Sequence, residues 1–211
     1  IKCQIHAILQ RQGLRFPSGK AAWNQESMKR LQELAAPLEQ LDELDLWRGQ
    51  LSLELTALDQ IEQQVAQVRK KLDALGKQNE RVQLVQTIPG VGPRLAEAIV
   101  AVIDDPKRFR NGKQVSNYLG MVPRLYESGQ MSRNGHITRA GNPMLRSLLV
   151  EVSWLALRWN PYLAQTYQRI RGNGKRRGKV AIVATARRLL VIAWAMLRDN
   201  KPWCMPKLSA A

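Results

Sequence analysis

A chain of 211 residues that is 45% hydrophobic and 24% charged can bury a core, and it lacks the bias of a fibrous or disordered polypeptide. Its formal charge is +16 and unevenly spread: residues 1–87 hold 12 Lys and Arg against 11 Asp and Glu, whereas residues 88–211 hold 21 against 6. Two cysteines, Cys3 and Cys204, and two histidines, His6 and His136, exclude a disulfide framework and a zinc site, and so no metal-ligand set is expected in this chain. The strongly basic half attracts polyanions, which makes nucleic acid the expected partner and a reducing cytoplasm the expected setting. The most apolar run, Val180 to Leu197, contains Thr185, Arg187 and Arg188, and reads as a buried helix with no membrane partner. The chain opens on Ile1 within a helical pattern and without a preceding cap, as expected of a fragment whose upstream part is missing.

Sustained alternation of apolar and polar residues is lacking, so the expected class is all-α. A first helix is expected to Gln12, ended by Gly13, with a turn at Phe16-Pro17-Ser18-Gly19 and a second helix from Asn24 to Ala36. Pro37 then suits the first position of a long helix with heptads at Leu44, Leu51, Leu58, Val65 and Leu72 and a second seam at Trp47, Ile61, Val68 and Leu75. That pattern predicts a coiled coil between copies or an antiparallel hairpin within the chain, because heptads do not name their partner. Gly49 weakens its first turns and Gly76 ends it. Residues 1–80 are therefore read as a coiled-coil or helical-hairpin segment, and 81–207 as a compact helical domain.

In that second region a helix from Asn79 to Thr87 leads into Ile88-Pro89-Gly90-Val91-Gly92-Pro93-Arg94, and a further helix runs from Pro93 to Ile103. Two glycines around one apolar residue, directly before a helix, make a tight connection that a phosphate can approach, with free N–H groups aimed at it. The pattern is similar to a helix-hairpin-helix motif, which binds nucleic-acid backbone; a structural turn is the alternative. Asp104-Asp105-Pro106 breaks the helix, and a short helix covers Lys113 to Leu119.

The segment from Met121 to Ile137 is polar, basic and glycine-containing, and is read as a loop. It places Ser128 and Gly129 among Arg124, Arg133, Arg139 and Arg146. Arginines suit bidentate phosphate contacts, and a serine hydroxyl beside a phosphate so held can act as a nucleophile; by residue chemistry alone an ordinary loop serine is the favoured reading. Thr138 is expected to cap a helix whose apolar face runs Leu145, Leu148, Leu149, Val152, Leu155 and Trp159, with Trp154, Trp159 and Trp194 in the core. A helix from Tyr162 to Ile170, a basic loop with Lys175, Arg176, Arg177 and Lys179, and an apolar helix from Lys179 to Arg198 complete the chain.

Several of these features occur in one order: Gly90 and Gly92, Leu119-Gly120 through Pro123-Arg124, Glu127-Ser128-Gly129, Gly135 through Ile137-Thr138-Arg139 to Gly141-Asn142, Leu145-Arg146, and Arg187-Arg188-Leu189-Leu190. The set, from Leu84 to about Trp203, resembles the C-terminal domain of the bridge-RNA-guided insertion-sequence transposases. The resemblance implies DNA strand exchange with Ser128 as the covalent nucleophile. Residue chemistry and the resemblance together point to nucleic-acid contacts through Gly90, Gly92, Arg94, Arg124, Arg133, Arg139, Asn142, Arg146, Lys175, Arg176, Arg177 and Lys179. DNA, a guide RNA and further copies of the chain are the implied partners. In that family an acidic ribonuclease-H-like domain binds magnesium; it is absent here, so magnesium is implied for the full-length enzyme and the chain alone is expected to be inactive. The family's lysine after Ile-Thr is Arg139 here, which keeps the charge. The alternative reading is a non-catalytic helix-hairpin-helix nucleic-acid-binding module, and a third is a coiled-coil assembly protein.

Overall fold

The structure, a computed structural model, describes residues 1–128, 131–173 and 177–205, without the side chains of residues 20, 40, 127 and 131–134. Its chain falls into two compact units, Ile1–Leu72 and Asp73–Ala211. Nine α-helices and one two-stranded sheet lie among the described residues, so the all-helical expectation holds apart from that sheet.

In the first unit, α1 (Lys2–Arg11) ends where Gly13 turns to positive φ, and α2 (Gln25–Leu34) starts under a cap from Asn24, whose side chain accepts a hydrogen bond from the Ser27 amide. Such a cap contributes about 1 kcal/mol. The long helix α3 (Leu46–Gln78) begins nine residues after Pro37, because two short 3₁₀ turns, Leu38–Gln40 and Glu43–Asp45, intervene. Gly49 explains the delay: a Cβ there would overlap the Leu38 side chain, so the missing side chain lets the incoming segment lie against the helix. Leu44 is consequently outside the helix and 92% exposed. The seam divides. Leu51 and Leu58 are buried against Ile5, Leu9 and Leu31, whereas Ile61, Val65, Val68 and Leu72 are exposed.

In the second unit the helix continues through Gly76, which does not end it; a Cβ there would sit 2.7 Å from Glu97 Oε1, so glycine serves close packing. Next come α4 (Glu80–Gln86), α5 (Pro93–Ile103) and α6 (Gly112–Tyr118). Strands β1 (Pro123–Ser128) and β2 (Met131–Ile137) pair antiparallel, with α7 (Pro143–Ala156), α8 (Pro161–Arg171) and α9 (Gly178–Asp199) following. Helix α9 is long and apolar enough to cross a membrane by composition. Its apolar surface is explained by packing: Ala186, Leu189, Leu190, Ala193 and Trp194 are buried in one cluster with Leu95, Ile99 and Ile103 of α5 and Leu145 and Leu149 of α7. The Trp194 indole N–H donates to the Pro106 carbonyl at 2.8 Å.

Three further expectations need correction. The segment read as a loop is a β-hairpin, with Tyr126 opposite Arg133, Ser128 opposite Met131, and a bulge between Pro123 and Leu125. Helix α7 begins at Pro143 under a cap from Asn142, not at Thr138, since Thr138 pairs its amide with the Val122 carbonyl and Arg139 takes a positive φ that a helix cannot hold. Trp154, Leu155 and Trp159 are exposed while Trp194 alone of the three tryptophans is buried. The inward face of α7 carries Leu145, Leu149, Ser153 and Ala156, because Gly90 abuts Ala156 so closely that only small residues fit there.

Candidate nucleic-acid interface

The hairpin projects Ser128 from a base made largely of backbone contacts. Gly120 and Gly141 both take positive φ, and a Cβ on either would overlap the opposing chain, Ala140 in one case and the Tyr118 carbonyl in the other. Glycine is thus required twice where the segment after β2 crosses the end of α6. The Arg139 amide donates to the Gly120 carbonyl at 3.1 Å, and Arg146 Nη1 donates to the Leu119 carbonyl at 3.1 Å and to the Ala140 carbonyl. Arg124 Nη2 donates to the Thr138 carbonyl at 3.3 Å. Two of the expected phosphate ligands, Arg124 and Arg146, therefore also fasten the hairpin.

Ser128 is the last residue of β1 and is exposed, and among the described residues its hydroxyl makes no hydrogen bond. Arg139 and His136 are exposed nearby in sequence, Arg139 without an ion-pair partner among the described residues. Position 133 pairs with Tyr126, two residues back along β1 from Ser128, but the Arg133 side chain lies outside the described residues. Tyr126 itself is 57% exposed and lies over Gly135, where a Cβ would meet its ring at 2.7 Å.

The glycine connection between α4 and α5 has two different glycines. Gly90 takes φ +89° and backs onto Ala156, so it is fixed by conformation and packing. Gly92 is exposed, with open space where a Cβ would be, and caps α5 without a side chain, with Pro93 at the first helical position. The first amides of α5 thus lack a side-chain cap. Arg94 is turned to other use: its guanidinium donates to Asp73 Oδ1 at 2.6 Å and Glu97 Oε2 at 2.7 Å. Asn142 is occupied as the cap of α7, accepting from the Leu145 amide at 3.1 Å.

Of the basic loop, Lys175 and Arg176 lie outside the described residues. Arg177 and Lys179 are exposed at the start of α9, where the first turn has no acidic residue. Cations at that end oppose the helix dipole, which a bound anion would offset. The sequence reading missed Lys113, Arg169 and, as ligands, Arg187 and Arg188, which surround one cavity. Their signal was available only as helical spacing on α8 and α9, since spacing does not reveal which faces meet.

Among the described residues, no three His, Cys, Asp or Glu side chains come together to hold a metal. The magnesium implied by the family resemblance therefore finds no fitting ligand set among them.

Comparison with known proteins gives these features a context. Residues 82–168, from α4 through the hairpin into α8, match the family model described as the transposase IS116/IS110/IS902 family. A probable family 20 transposase of Pseudomonas aeruginosa is 32% identical over 152 residues, covering 71% of this chain and 45% of that protein. The transposase for insertion sequence element IS1111A of Coxiella burnetii is 30% identical over 202 residues, covering 95% of this chain and 54% of that protein. A pilin gene-inverting protein of Moraxella lacunata is 29% identical over 147 residues, covering 69% of this chain and 45% of that protein. The chain spans about half the length of these relatives. Over residues 82–168 it carries a transposase domain of the IS116/IS110/IS902 family.

Proposed function

We propose that this chain is the DNA-handling part of a transposase or site-specific recombinase, with Ser128 as the nucleophile of strand exchange. The observation that carries the reading is the placement of Ser128: an exposed hydroxyl at the end of a strand whose base is pinned by paired glycines and by arginines. A nucleophile so mounted is accessible to a phosphodiester and held by a rigid helical platform. In the step proposed, Ser128 Oγ forms a bond to phosphorus. The bond from phosphorus to one deoxyribose oxygen breaks, and that oxygen takes up the serine proton as a free hydroxyl. Arg124, Arg133 and Arg139 contribute positive charge to the phosphate in the transition state. The phosphoserine link conserves the energy of the diester, so the reverse reaction with a different strand end rejoins DNA.

DNA and guide-RNA backbone are held by the remaining basic residues, with the α4–α5 connection acting as a helix-hairpin-helix and the open space at Gly92 admitting a phosphate. Arg94 is the weakest member of the set, since its guanidinium already pairs with Asp73 and Glu97. Backbone recognition of this kind fixes register and carries little sequence information. The complete enzyme works in the cytoplasm with magnesium on its acidic domain, and this chain alone binds nucleic acid without cleaving it. Copies of the chain associate through the exposed seam Ile61, Val65, Val68 and Leu72 as a coiled coil.

The test is a denaturing gel of labelled DNA, with and without protease, using the complete enzyme. Ser128→Ala is expected to abolish the protease-sensitive adduct and strand exchange while leaving binding within about two-fold, because a single exposed hydroxyl contributes little to affinity. Ser132→Ala is expected to retain both activities. An adduct that persists in Ser128→Ala moves the nucleophile elsewhere, and wild-type enzyme that binds DNA and never forms the adduct supports a non-catalytic binding module.

A further inference from the structure

Helices α8 and α9 and the start of α6 line an open cavity of about 1140 Å³. Each long helix offers one face to it: Tyr162 and Arg169 are seven apart on α8, and Ala184, Arg187, Arg188 and Val191 follow the three-and-four spacing of one face of α9. Lys113 closes the third side. The lining thus holds four cations and no carboxylate, and none of the four has an ion-pair partner among the described residues. Four like charges around one hollow repel one another, and an anion in the hollow relieves that cost.

The site is also built rather than merely charged. Arg188 donates from both Nε, at 2.9 Å, and Nη2, at 2.5 Å, to the Tyr162 hydroxyl, and its guanidinium lies 5.7 Å from the centre of that ring. Tyr162 is braced in turn by Trp203, with ring centres 6.3 Å apart. This fixes the guanidinium plane and leaves Nη1 for a ligand. Gly112 lets α6 approach α9, since a Cβ there would sit 2.6 Å from Val191 Cγ1.

The cavity is larger than a phosphate requires. Its volume of about 1140 Å³ exceeds the range, about 300 to 1,000 Å³, typical of small-ligand sites, which leaves room for a nucleotide and part of its neighbours. Its walls combine cations with the Gln168 amide and apolar Val191. A duplex presents its phosphates on a convex rod with the bases turned inward and does not fill such a hollow, whereas an unpaired strand can place a base inside it and phosphates on the rim. We propose that this cavity binds single-stranded nucleic acid, with one unpaired nucleotide seated in it and its flanking phosphates on Lys113, Arg169, Arg187 and Arg188. The proposal rests on the reading of the chain as a nucleic-acid-handling domain, and supplies the place where a strand opened during exchange, or an unpaired stretch of RNA, is held.

The experiment is fluorescence anisotropy of the chain with three labelled probes: a 12-nucleotide oligo-dT, a 12-nucleotide oligo-rU and a 12-base-pair DNA duplex. Two variants are compared with wild type, Arg187→Gln/Arg188→Gln and Arg169→Glu, the latter on an exposed site of α8 where folding is least at risk. Thermal melts confirm that each variant is folded. Both are expected to weaken a single-stranded probe at least ten-fold and to flatten the salt slope by about 0.7 for each phosphate no longer neutralised, while changing duplex affinity less than three-fold. A larger loss on oligo-dT identifies a DNA strand as the occupant, and a larger loss on oligo-rU identifies RNA. Folded variants that bind single strands as wild type does, or that lose duplex as strongly as single strand, overturn the cavity proposal and leave the broader function standing. Wild-type chain that binds none of the probes overturns both.

Discussion

The helical platform and the hairpin of the second unit are built on opposite terms. The platform is held by side chains: Leu95, Ile99, Leu145, Leu149, Leu189 and Leu190 are all at most 1% exposed, in one cluster. None of the hairpin's described side chains is buried. Leu125 is 63% and Tyr126 57% exposed, and its position is set by glycines and backbone hydrogen bonds at its foot. A region held at its foot, by glycines, backbone hydrogen bonds and the Arg124 and Arg146 side chains, needs no buried core of its own, and the candidate nucleophile stands at the far end of β1.

The contrast can be broken at several points. The largest effect is expected in the platform, where Ile99→Ala or Leu189→Ala should cost about 2 to 5 kcal/mol, read as a lowered denaturation midpoint. Next comes the foot: Gly120→Ala or Gly141→Ala forces a Cβ into opposing backbone at positive φ, and should cost about 1 to 3 kcal/mol. Faster amide exchange in β1 and β2, with α9 still protected, is the expected signature, and uniform exchange throughout would mean that the hairpin is part of the core. Asn142→Ala removes the α7 cap and should cost about 1 kcal/mol. Smallest is Leu125→Ala, expected within about 0.5 kcal/mol because the side chain is exposed. In the first unit, Val65→Asp should leave the fold intact and shift a dimer to monomer in sedimentation, whereas Leu58→Asp should unfold the unit, because Leu58 is buried within the chain and Val65 is not.

What the sequence disclosed follows the same division. Helices were legible wherever local chemistry decides them: Asn24 caps α2, Pro93 opens α5 and Gly13 stops α1. The hairpin was illegible because Arg124 to Asn134 lacks the alternating buried face by which a strand is read; its pairing depends on the crossing of Gly120 and Gly141, which are 21 positions apart. Periodicity put Leu155 and Trp159 on the inner face of one helix, but α7 ends at Ala156, before Trp159, and its inner face carries Ser153 and Ala156; the close approach of Gly90 could not be read from α7 alone. The heptads were visible at full length, yet Leu51 and Leu58 found partners in α1 and α2 while Val65 and Val68 did not, a distinction carried by tertiary structure. Ser128 stood out through the ordered family resemblance, since nothing in an isolated Glu-Ser-Gly separates a nucleophile from a surface serine.

Ser128 is proposed as the residue that joins DNA. The most direct measurement is peptide mass spectrometry of the complete enzyme, trapped on a nicked DNA substrate, digested with nuclease and protease. A nucleotide phosphate esterified to the Ser128 hydroxyl is the expected result. A nucleotide found on another side chain, or none in enzyme that has exchanged strands, would contradict it.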